Sequence, residues 1–277
     1  WALGWDSPRL RRIASASSLA VLPANDESRP SLLERFRVLW LVVLPWLALF
    51  AYSTAGGVPP GAIKFAFGWE DQLPVWEWTE IIYGSTFPLI AAAPWIARTR
   101  ADLRRFMIQA WIAMAIVFPI YWIFPSLAPR RHTEATGVLS QLLLLERDSN
   151  PPTAAFPSFH VIWSVLAGQL MRPRWLGWLY AVLVGVTCIT TGMHYLPDIF
   201  AGFVASFLFV ALPGWWTGTT GSLRREWVAF GCWMLFTAAF VWRLEALGEP
   251  AWFSAGVAVV LAGSGAFAAS RYSPVAP

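Results

Sequence analysis

Residues 106–124 read FMIQAWIAMAIVFPIYWIF, a run of 19 residues without a charged side chain. As an α-helix this run is about 28 Å long, at a rise of about 1.5 Å per residue, and the hydrocarbon core of a bilayer is about 30 Å thick. Arginines bound the run on both sides, at Arg104 and Arg105 before it and at Arg130 and Arg131 after it. The stretch therefore predicts a helix that crosses a membrane.

The whole chain has the composition of a membrane protein. Of its 277 residues, 57 % are hydrophobic and 13 % are charged, about half the charged fraction of a soluble domain. This composition excludes a soluble cytosolic enzyme, and the long apolar runs exclude a β-barrel, whose strands are about half as long. Two cysteines are too few for a disulfide-rich secreted module. The net charge of +4 is too small to indicate nucleic-acid binding.

Apolar runs bounded by charged residues or by Pro and Gly predict eight transmembrane helices. They are expected near residues 37–55, 81–97, 106–124, 158–171, 175–193, 198–216, 227–243 and 252–270. The predicted fold class is therefore all-α, a polytopic transmembrane helical bundle.

The basic residues predict the orientation of this bundle. With the N-terminus in the cytoplasm, fifteen of the twenty Lys and Arg residues lie inside. The five outside are Lys64, Arg130, Arg131, Arg147 and Arg243. Short loops rich in Arg face the cytoplasm, and the hinges at 98–105 and 172–174 are two such loops. Both termini are therefore predicted to be cytoplasmic.

His194 and Asp198 lie four residues apart in ITTGMHYLPDIFAG, residues 189–202, where one predicted span ends and the next begins. Pro197 suits the first turn of the new helix, so one turn brings the two side chains face to face. A carboxylate on one ring nitrogen fixes the imidazole tautomer and leaves the other nitrogen as a nucleophile or base. A plain capping interaction is the alternative.

His160 follows AAFPSF, residues 154–159, at the start of another predicted span. A helix N-terminus offers free backbone N–H groups to an anion, and the Ser158 hydroxyl adds a donor. The alternative is an N-capping serine beside an interfacial histidine.

Arg130 and Arg131 close FPSLAPRR, residues 124–131, directly after the third predicted span. A guanidinium group binds phosphate through two parallel hydrogen bonds, although an arginine here can also anchor to lipid headgroups. The neighbouring His132 is either a catalytic group or a solvated loop residue. In the predicted topology all three histidines lie at the outer face with these arginines, and ionisable groups gathered at one membrane face indicate function or mutual pairing.

The absence of other catalytic motifs limits the reaction types that the chain can carry out. No His, Cys, Asp or Glu cluster has metal-ligand spacing, and no nucleotide-binding loop or serine hydrolase motif occurs. Two histidines and an arginine clamp fit phosphoryl transfer without a metal or other cofactor. Two outer loops, 56–80 and 125–157, are read either as interfacial amphipathic segments or as a lid over a lipid-facing site.

Two of these segments together resemble the type-2 phosphatidic acid phosphatase (PAP2) superfamily. AFPSFH at 155–160 is similar to the second signature of that family, P-S-G-H, and GMHYLPD at 192–198 is similar to the third, which ends H-x-x-x-D. Their order, their separation of about 34 residues and the single predicted hairpin between them also match. The forms F-P-S-x-H and H-Y-x-x-D further resemble inositol phosphorylceramide and sphingomyelin synthases.

The chain departs from the superfamily pattern at three positions. The Lys of the first signature, K-x6-R-P, is missing, because Phe124 stands seven residues before Arg131. Cys188 occupies the place of an Arg in the third signature, and Phe159 that of the Gly in the second. These changes leave a bound phosphate with fewer cationic partners.

The resemblance implies a role for each matched residue. His194 would attack phosphorus while Asp198 holds its ring, and His160 would protonate the leaving alkoxide and then deprotonate the acceptor. The phosphate oxygens would be bound by Arg130, Arg131 and Ser158.

The resemblance also implies a catalytic core and an activity. It covers residues 36–216, which would be a six-span PAP2-like catalytic core. Outside it, the Ser- and Pro-containing residues 1–35 are expected to be a cytoplasmic tail, and the apolar runs in 217–277 predict two additional transmembrane helices. The activity implied is that of a lipid phosphate phosphatase or phosphotransferase with water or an alcohol as acceptor. A synthase that moves a phospho-headgroup to an alcohol and a non-catalytic lipid-binding or transport domain are the alternatives.

The expected location is the bacterial inner membrane, with the site on the periplasmic face. Its expected partners are a lipid phosphate and the bilayer, without nucleic acid, and the oligomeric state stays open.

Overall fold

The computed structural model describes residues 26–55, 57–134 and 136–216, with the backbone alone for 211–216. These residues form eight α-helices and two short 3-10 turns, Glu70–Gln72 and Glu77–Thr79, and no strand beyond isolated bridges. The helices are α1 (Leu32–Ala55), α2 (Glu80–Gly84), α3 (Thr86–Ile96), α4 (Arg100–Ile123), α5 (Val138–Ser149), α6 (Phe159–Gly168), α7 (Arg174–Thr190) and α8 (Leu196–Trp216). The prediction of an all-helical protein is confirmed for this part of the chain.

Helices α1 and α4 are each 24 residues long and apolar enough to cross a membrane. Helix α4 contains the run at 106–124 but begins six residues earlier, at Arg100. It does so because the Thr99 side chain accepts a hydrogen bond from the backbone N–H of Asp102 at 3.0 Å and caps the first turn. Three of the four arginines that were expected in the hinge at 98–105 therefore lie in the first turns of the helix, and Arg98 alone precedes it.

Helices occur at all six predicted places between residues 37 and 216. The predicted span at 81–97 is divided into α2 and α3, because Pro88 lacks the N–H that would bond to the carbonyl of Gly84. It stays a prediction that the helices at these six places all cross the membrane and form one core. The predicted helices at 227–243 and 252–270 lie outside the described residues.

Helix α6 is the centre of the bundle and carries His160 at its second position. Nine of its ten residues are buried, and it packs against α3, α4, α7 and α8. Its contact with α7 is a backbone contact: a Cβ added to Gly177 would lie 2.0 Å from the carbonyl oxygen of Gly168. Small residues allow helices in membranes to approach this closely.

Helix α5 is an amphipathic helix within the loop at 125–157. Val138 and Leu145 are 82 % and 64 % exposed, whereas Leu143 and Arg147 are buried. The buried side packs against α2 and the 3-10 turn at Glu77–Thr79. This packing directs polar residues of the loop toward the end of the bundle that holds His160.

Candidate active site

The loop between α7 and α8 presents His194 to the interior of the bundle. Gly192 has φ +69°, a left-handed conformation that glycine adopts at little cost. The turn allows the N–H groups of Met193 and His194 both to donate to the carbonyl oxygen of Cys188, at 3.2 and 3.0 Å. His194 is only 6 % exposed as a result.

His194 faces Asp198 across the first turn of α8. Its Nδ1 lies 3.5 Å from Oδ2 of Asp198, and that carboxylate is fully buried. The two atoms lie at ion-pair distance without hydrogen-bond geometry, and Oδ2 also accepts a hydrogen bond from the Tyr195 N–H at 2.9 Å. Catalytic contacts are often this long without substrate. The structure thus brings together the pair that the four-residue spacing predicted.

His160 lies beside His194, with 5.8 Å between the ring centroids. Tyr83 of α2 stacks on the His160 ring at 4.1 Å, and its hydroxyl lies 3.0 Å from Nδ1. Nε2 lies 3.2 Å from Oε1 of Glu146 on α5, also at ion-pair distance without hydrogen-bond geometry. The second histidine is therefore held by two residues from distant parts of the chain.

Two buried acids adjoin His160 that the sequence reasoning missed. Glu80 is fully buried, and burial, together with a hydrogen bond to Glu146 and its charge, raises the pKa of Glu80 to about 9. Burial also raises the pKa of Glu146. Carboxyl groups perturbed in this way gather at functional sites. The only sequence signal was an acid next to an apolar run, as in LLLLE at 142–146.

Arg131 and Arg147 meet at Gly192. A Cβ added to this glycine would lie 3.0 Å from Nη2 of Arg147 and 3.2 Å from Nε of Arg131. The two side chains are 8 % and 5 % exposed. Burial lowers the pKa of both guanidinium groups, although arginine stays charged in proteins. Two buried positive charges therefore lie against the turn that precedes His194.

The guanidinium groups of this pair are held by backbone oxygens. Arg147 donates to the carbonyls of Arg131 and Thr191, both at 2.6 Å, and Arg131 donates to those of Leu73, at 2.9 Å, and Ile189. In the part of the chain that the structure describes, Nε of each arginine is buried and has no hydrogen-bond partner. Each side chain thus keeps a donor for an anion, and Arg147 is a candidate that the sequence reasoning did not name.

The other predicted site residues have different surroundings. Arg130 is exposed, has φ 43°, and donates to the carbonyls of Arg147 and Asn150 at 2.7 and 2.8 Å. Ser158 is buried and caps α6, because its hydroxyl accepts from the Val161 N–H. His132 is exposed.

A cavity opens beside the two histidines. Tyr83, His160, Met193 and His194 line one side of it. Six further aromatic side chains line the cavity, those of Trp46, Phe50, Phe118, Tyr121, Phe159 and Trp163. The polar ring nitrogens therefore adjoin an apolar space, which suits an amphiphile whose polar group enters first.

The loop at 56–80 holds the segment that follows His194. The Tyr195 hydroxyl donates to Oδ1 of Asp71 at 2.8 Å, and the backbone N–H of Leu196 donates to Oε1 of the buried Glu70 at 2.6 Å. Lys64 forms an ion pair with Asp71. These contacts hold the two residues that directly follow the predicted nucleophile.

Comparison with known proteins supports the resemblance found in the sequence. The sequence model of the PAP2 superfamily matches residues 69–212, a segment that contains both histidines, Asp198, the arginines and the two acids. No curated protein and no solved structure gives a significant match. Because the matched segment is more than half of the 277 residues, the chain belongs to the PAP2 superfamily.

Proposed function

We propose that the protein is an integral membrane lipid phosphate phosphatase or phosphotransferase that works through a phosphohistidine on His194. Membership in the PAP2 superfamily supports the reaction class. The observation that carries the mechanism is the juxtaposition of two buried imidazoles, 5.8 Å apart, with a carboxylate on one of them. The aromatic cavity beside them supports a lipid substrate.

In the first step Nε2 of His194 attacks phosphorus. Asp198 at Nδ1 keeps the attacking nitrogen unprotonated and stabilises the charge that develops on the ring. The bond between phosphorus and the ester oxygen breaks, and that oxygen takes a proton from His160. In the second step His160 takes a proton from water or an alcohol, whose oxygen displaces His194 from phosphorus.

The charge of the phosphoryl group is balanced by Arg131 and Arg147 in this proposal. Phosphoryl transfer gains most from positive groups aimed at the equatorial oxygens, and each of these arginines has a buried, unused Nε donor. The resemblance assigned Arg130 and Ser158 to phosphate. In this proposal they support the local backbone instead, since Nη2 of Arg130 and the Ser158 hydroxyl already bond to backbone groups. The route requires no metal ion.

Trapping the covalent intermediate tests this proposal. Purified protein is mixed with a radiolabelled lipid phosphate and quenched in alkali, in which phosphohistidine survives. We expect label on the wild type and none on His194→Ala. Asp198→Asn should label slowly because only orientation and charge stabilisation are lost. His132→Ala, which alters an exposed histidine, is the matched control and should label normally. Label on His194→Ala would contradict the mechanism.

The acceptor is identified by the product. Free phosphate from phosphatidate or a prenyl diphosphate indicates a phosphatase. A new phospholipid formed from a phospholipid donor and inositol indicates a transferase of the inositol phosphorylceramide synthase type. In either case turnover should survive chelation by EDTA and be inhibited by vanadate, which mimics five-coordinate phosphorus. Loss of turnover in EDTA that Mg²⁺ restores would contradict the metal-free route.

A further inference from the structure

The carboxyl groups of Glu80 and Glu146 form a buried pair behind His160. They come from α2 and α5 and meet over Gly84, where an added Cβ would lie 3.1 Å from Oε1 of Glu80 and 3.6 Å from Oε2 of Glu146. The Glu146 side chain is 10 % exposed and Glu80 is fully buried. Gly84 therefore leaves the space in which the two groups touch.

This pair carries a single negative charge at neutral pH. Two adjacent buried carboxylates repel each other, so one of them keeps its proton. Glu80 is fully buried, and burial raises its pKa to about 9, whereas the Glu146 side chain is 10 % exposed and its Oε1 contacts both the His160 ring and the Asn150 amide. Burial raises the pKa of Glu146 as well, and hydrogen bonds from Glu80 and Asn150 oppose that rise. Glu146 is therefore the charged member.

The charge of Glu146 is directed at His160. Its Oε1 lies 3.2 Å from Nε2 of the ring, and no other carboxylate within the described ranges lies at ion-pair distance from that ring. The contact lacks hydrogen-bond geometry, so an N–H at Nε2 is free to point to a substrate oxygen. A carboxylate at this distance favours a positive charge on the ring.

We propose, building on the function proposed above, that Glu146 is a positioning residue that stabilises the protonated form of His160, and that Glu80 is the neutral acid that orients Glu146. His160 gives its proton to the leaving oxygen in the first step and regains one from the acceptor in the second. Glu146 keeps its charge and Glu80 keeps its proton throughout, so the site's proton count is restored after each turnover.

Several charged or titratable groups face this assembly. They are Tyr83 from α2, Arg147 from α5, Cys188 from α7, His194 from the α7–α8 loop and Asp198 from α8. None of them is a carboxylate on the His160 ring, so Glu146 is the group whose removal tests the idea.

Nitrogen NMR of the three histidines tests the proposal without any assay of activity. The protein is labelled with ¹⁵N-histidine in detergent micelles, and the signals are assigned with single His→Gln variants. At each pH of a titration we expect the protonated fraction of His160 to be lower in Glu146→Gln than in the wild type. It should return toward the wild-type fraction in Glu146→Asp, which keeps the charge. Glu80→Gln should leave the protonated fraction of His160 unchanged, because the glutamine amide replaces the protonated carboxyl of Glu80 as a neutral hydrogen-bond donor. The exposed His132 serves as the internal reference.

An unchanged His160 in Glu146→Gln would overturn the proposal. So would an equal loss of protonation in Glu80→Gln and Glu146→Gln, because Glu80 would then contribute charge. Since these readings do not depend on turnover, they remain decisive even if no phosphohistidine forms in the wild type, a result that would overturn only the proposed function.

Kinetics with two leaving groups gives a second test. An alkyl lipid phosphate needs an acid to protonate its leaving oxygen, whereas p-nitrophenyl phosphate does not. Glu146→Gln should therefore lose about 100-fold in rate on the alkyl ester and far less on the aryl ester. In the pH–rate profile for the alkyl ester, the fall in rate at high pH should begin at a lower pH in this variant, because the His160 ring loses its proton at a lower pH. Exposed Glu134→Gln is the matched control. Equal losses on both esters would contradict a role through His160.

Discussion

Gly192 is the point at which two guanidinium groups and the loop of His194 come together. A side chain there would lie in tight contact with both arginines and would also have to adopt φ +69°, which is the larger obstacle. Arg147 thereby supplies a second buried charge close to the predicted nucleophile, in a chain that has Phe124 and Cys188 where the superfamily has a Lys and an Arg. In the proposed mechanism Arg147 compensates for these losses.

Removing this charge should weaken transition-state binding. Arg147→Gln loses a charge-assisted hydrogen bond of about 1.5–3 kcal/mol, which corresponds to a fall in kcat/KM of about 10- to 100-fold. Arg130→Gln, at the exposed neighbour, should cost less than tenfold. Steady-state kinetics on a lipid phosphate measures both, with size-exclusion chromatography to check folding. A larger loss in Arg130→Gln would favour the assignment made from the resemblance.

The protonated state of Glu80 predicts how stability depends on pH. Its pKa is about 9 when folded and about 4.5 when exposed, so between these values the folded protein holds a proton that the unfolded chain releases. Stability is therefore highest at the acidic end of this window and falls as pH rises toward 9. Thermal unfolding in detergent at about pH 5, 7 and 9 should show this fall, with a shallower fall in Glu80→Gln. Parallel curves would contradict a protonated Glu80.

Among the elements, α5 has the most consequential position. Its apolar residues were predicted to rest on the membrane or to cover a lipid-facing site, and its exposed Val138 and Leu145 are compatible with both. It also carries the consecutive residues Glu146 and Arg147. The Glu146 carboxylate contacts His160, and the Arg147 guanidinium contacts the turn at Gly192. A single short helix thus contributes both to the surroundings of the proposed general acid, His160, and to the proposed phosphate-binding arginines.

The contact between α6 and α7 predicts a strong effect of one methyl group. Gly177→Ala places a Cβ 2.0 Å from a backbone oxygen, which cannot rotate away. The helices must separate, at a cost of about 1–3 kcal/mol. Gly185→Ala on the same helix meets only the side chains of Phe203 and Ile199, at 3.2 and 3.3 Å, and should be nearly neutral. Thermal unfolding of the two variants compares them, and equal midpoints would contradict the close packing.

At the scale of the whole molecule, the arginine distribution predicts an outer active site. Two single-cysteine variants test this topology in a background without native cysteines. One has cysteine in place of Thr136, just before α5, and the other in place of Arg98, which is exposed in the hinge at 98–105. The first should react with an impermeant thiol reagent in intact cells and the second only after lysis. Arg98 is preferred to Arg100, which forms ion pairs with Asp26 and Glu34. The reverse labelling would place the site in the cytoplasm.

The sequence by itself determined the features that depend on local pattern. Long apolar runs predicted the helices, because an α-helix satisfies its own backbone in lipid. The spacing of His194 and Asp198 predicted their contact, because residues four apart share one helical face. The same short motifs carried the resemblance to the PAP2 superfamily. Helix ends were less predictable, as α4 shows, since a single side-chain cap moves an end by several residues.

Only the tertiary structure decided which distant residues complete the site. Tyr83, Glu80, Glu146 and Arg147 belong to segments that read as an apolar span and an amphipathic loop, and nothing local distinguishes them from interfacial residues. They converge on His160 and Gly192 because α6 is buried on all sides and α5 folds back onto α2. Burial then changes the charge state and binding of these groups. A carboxyl group removed from water keeps its proton, and a guanidinium group removed from water is stabilised by a bound anion.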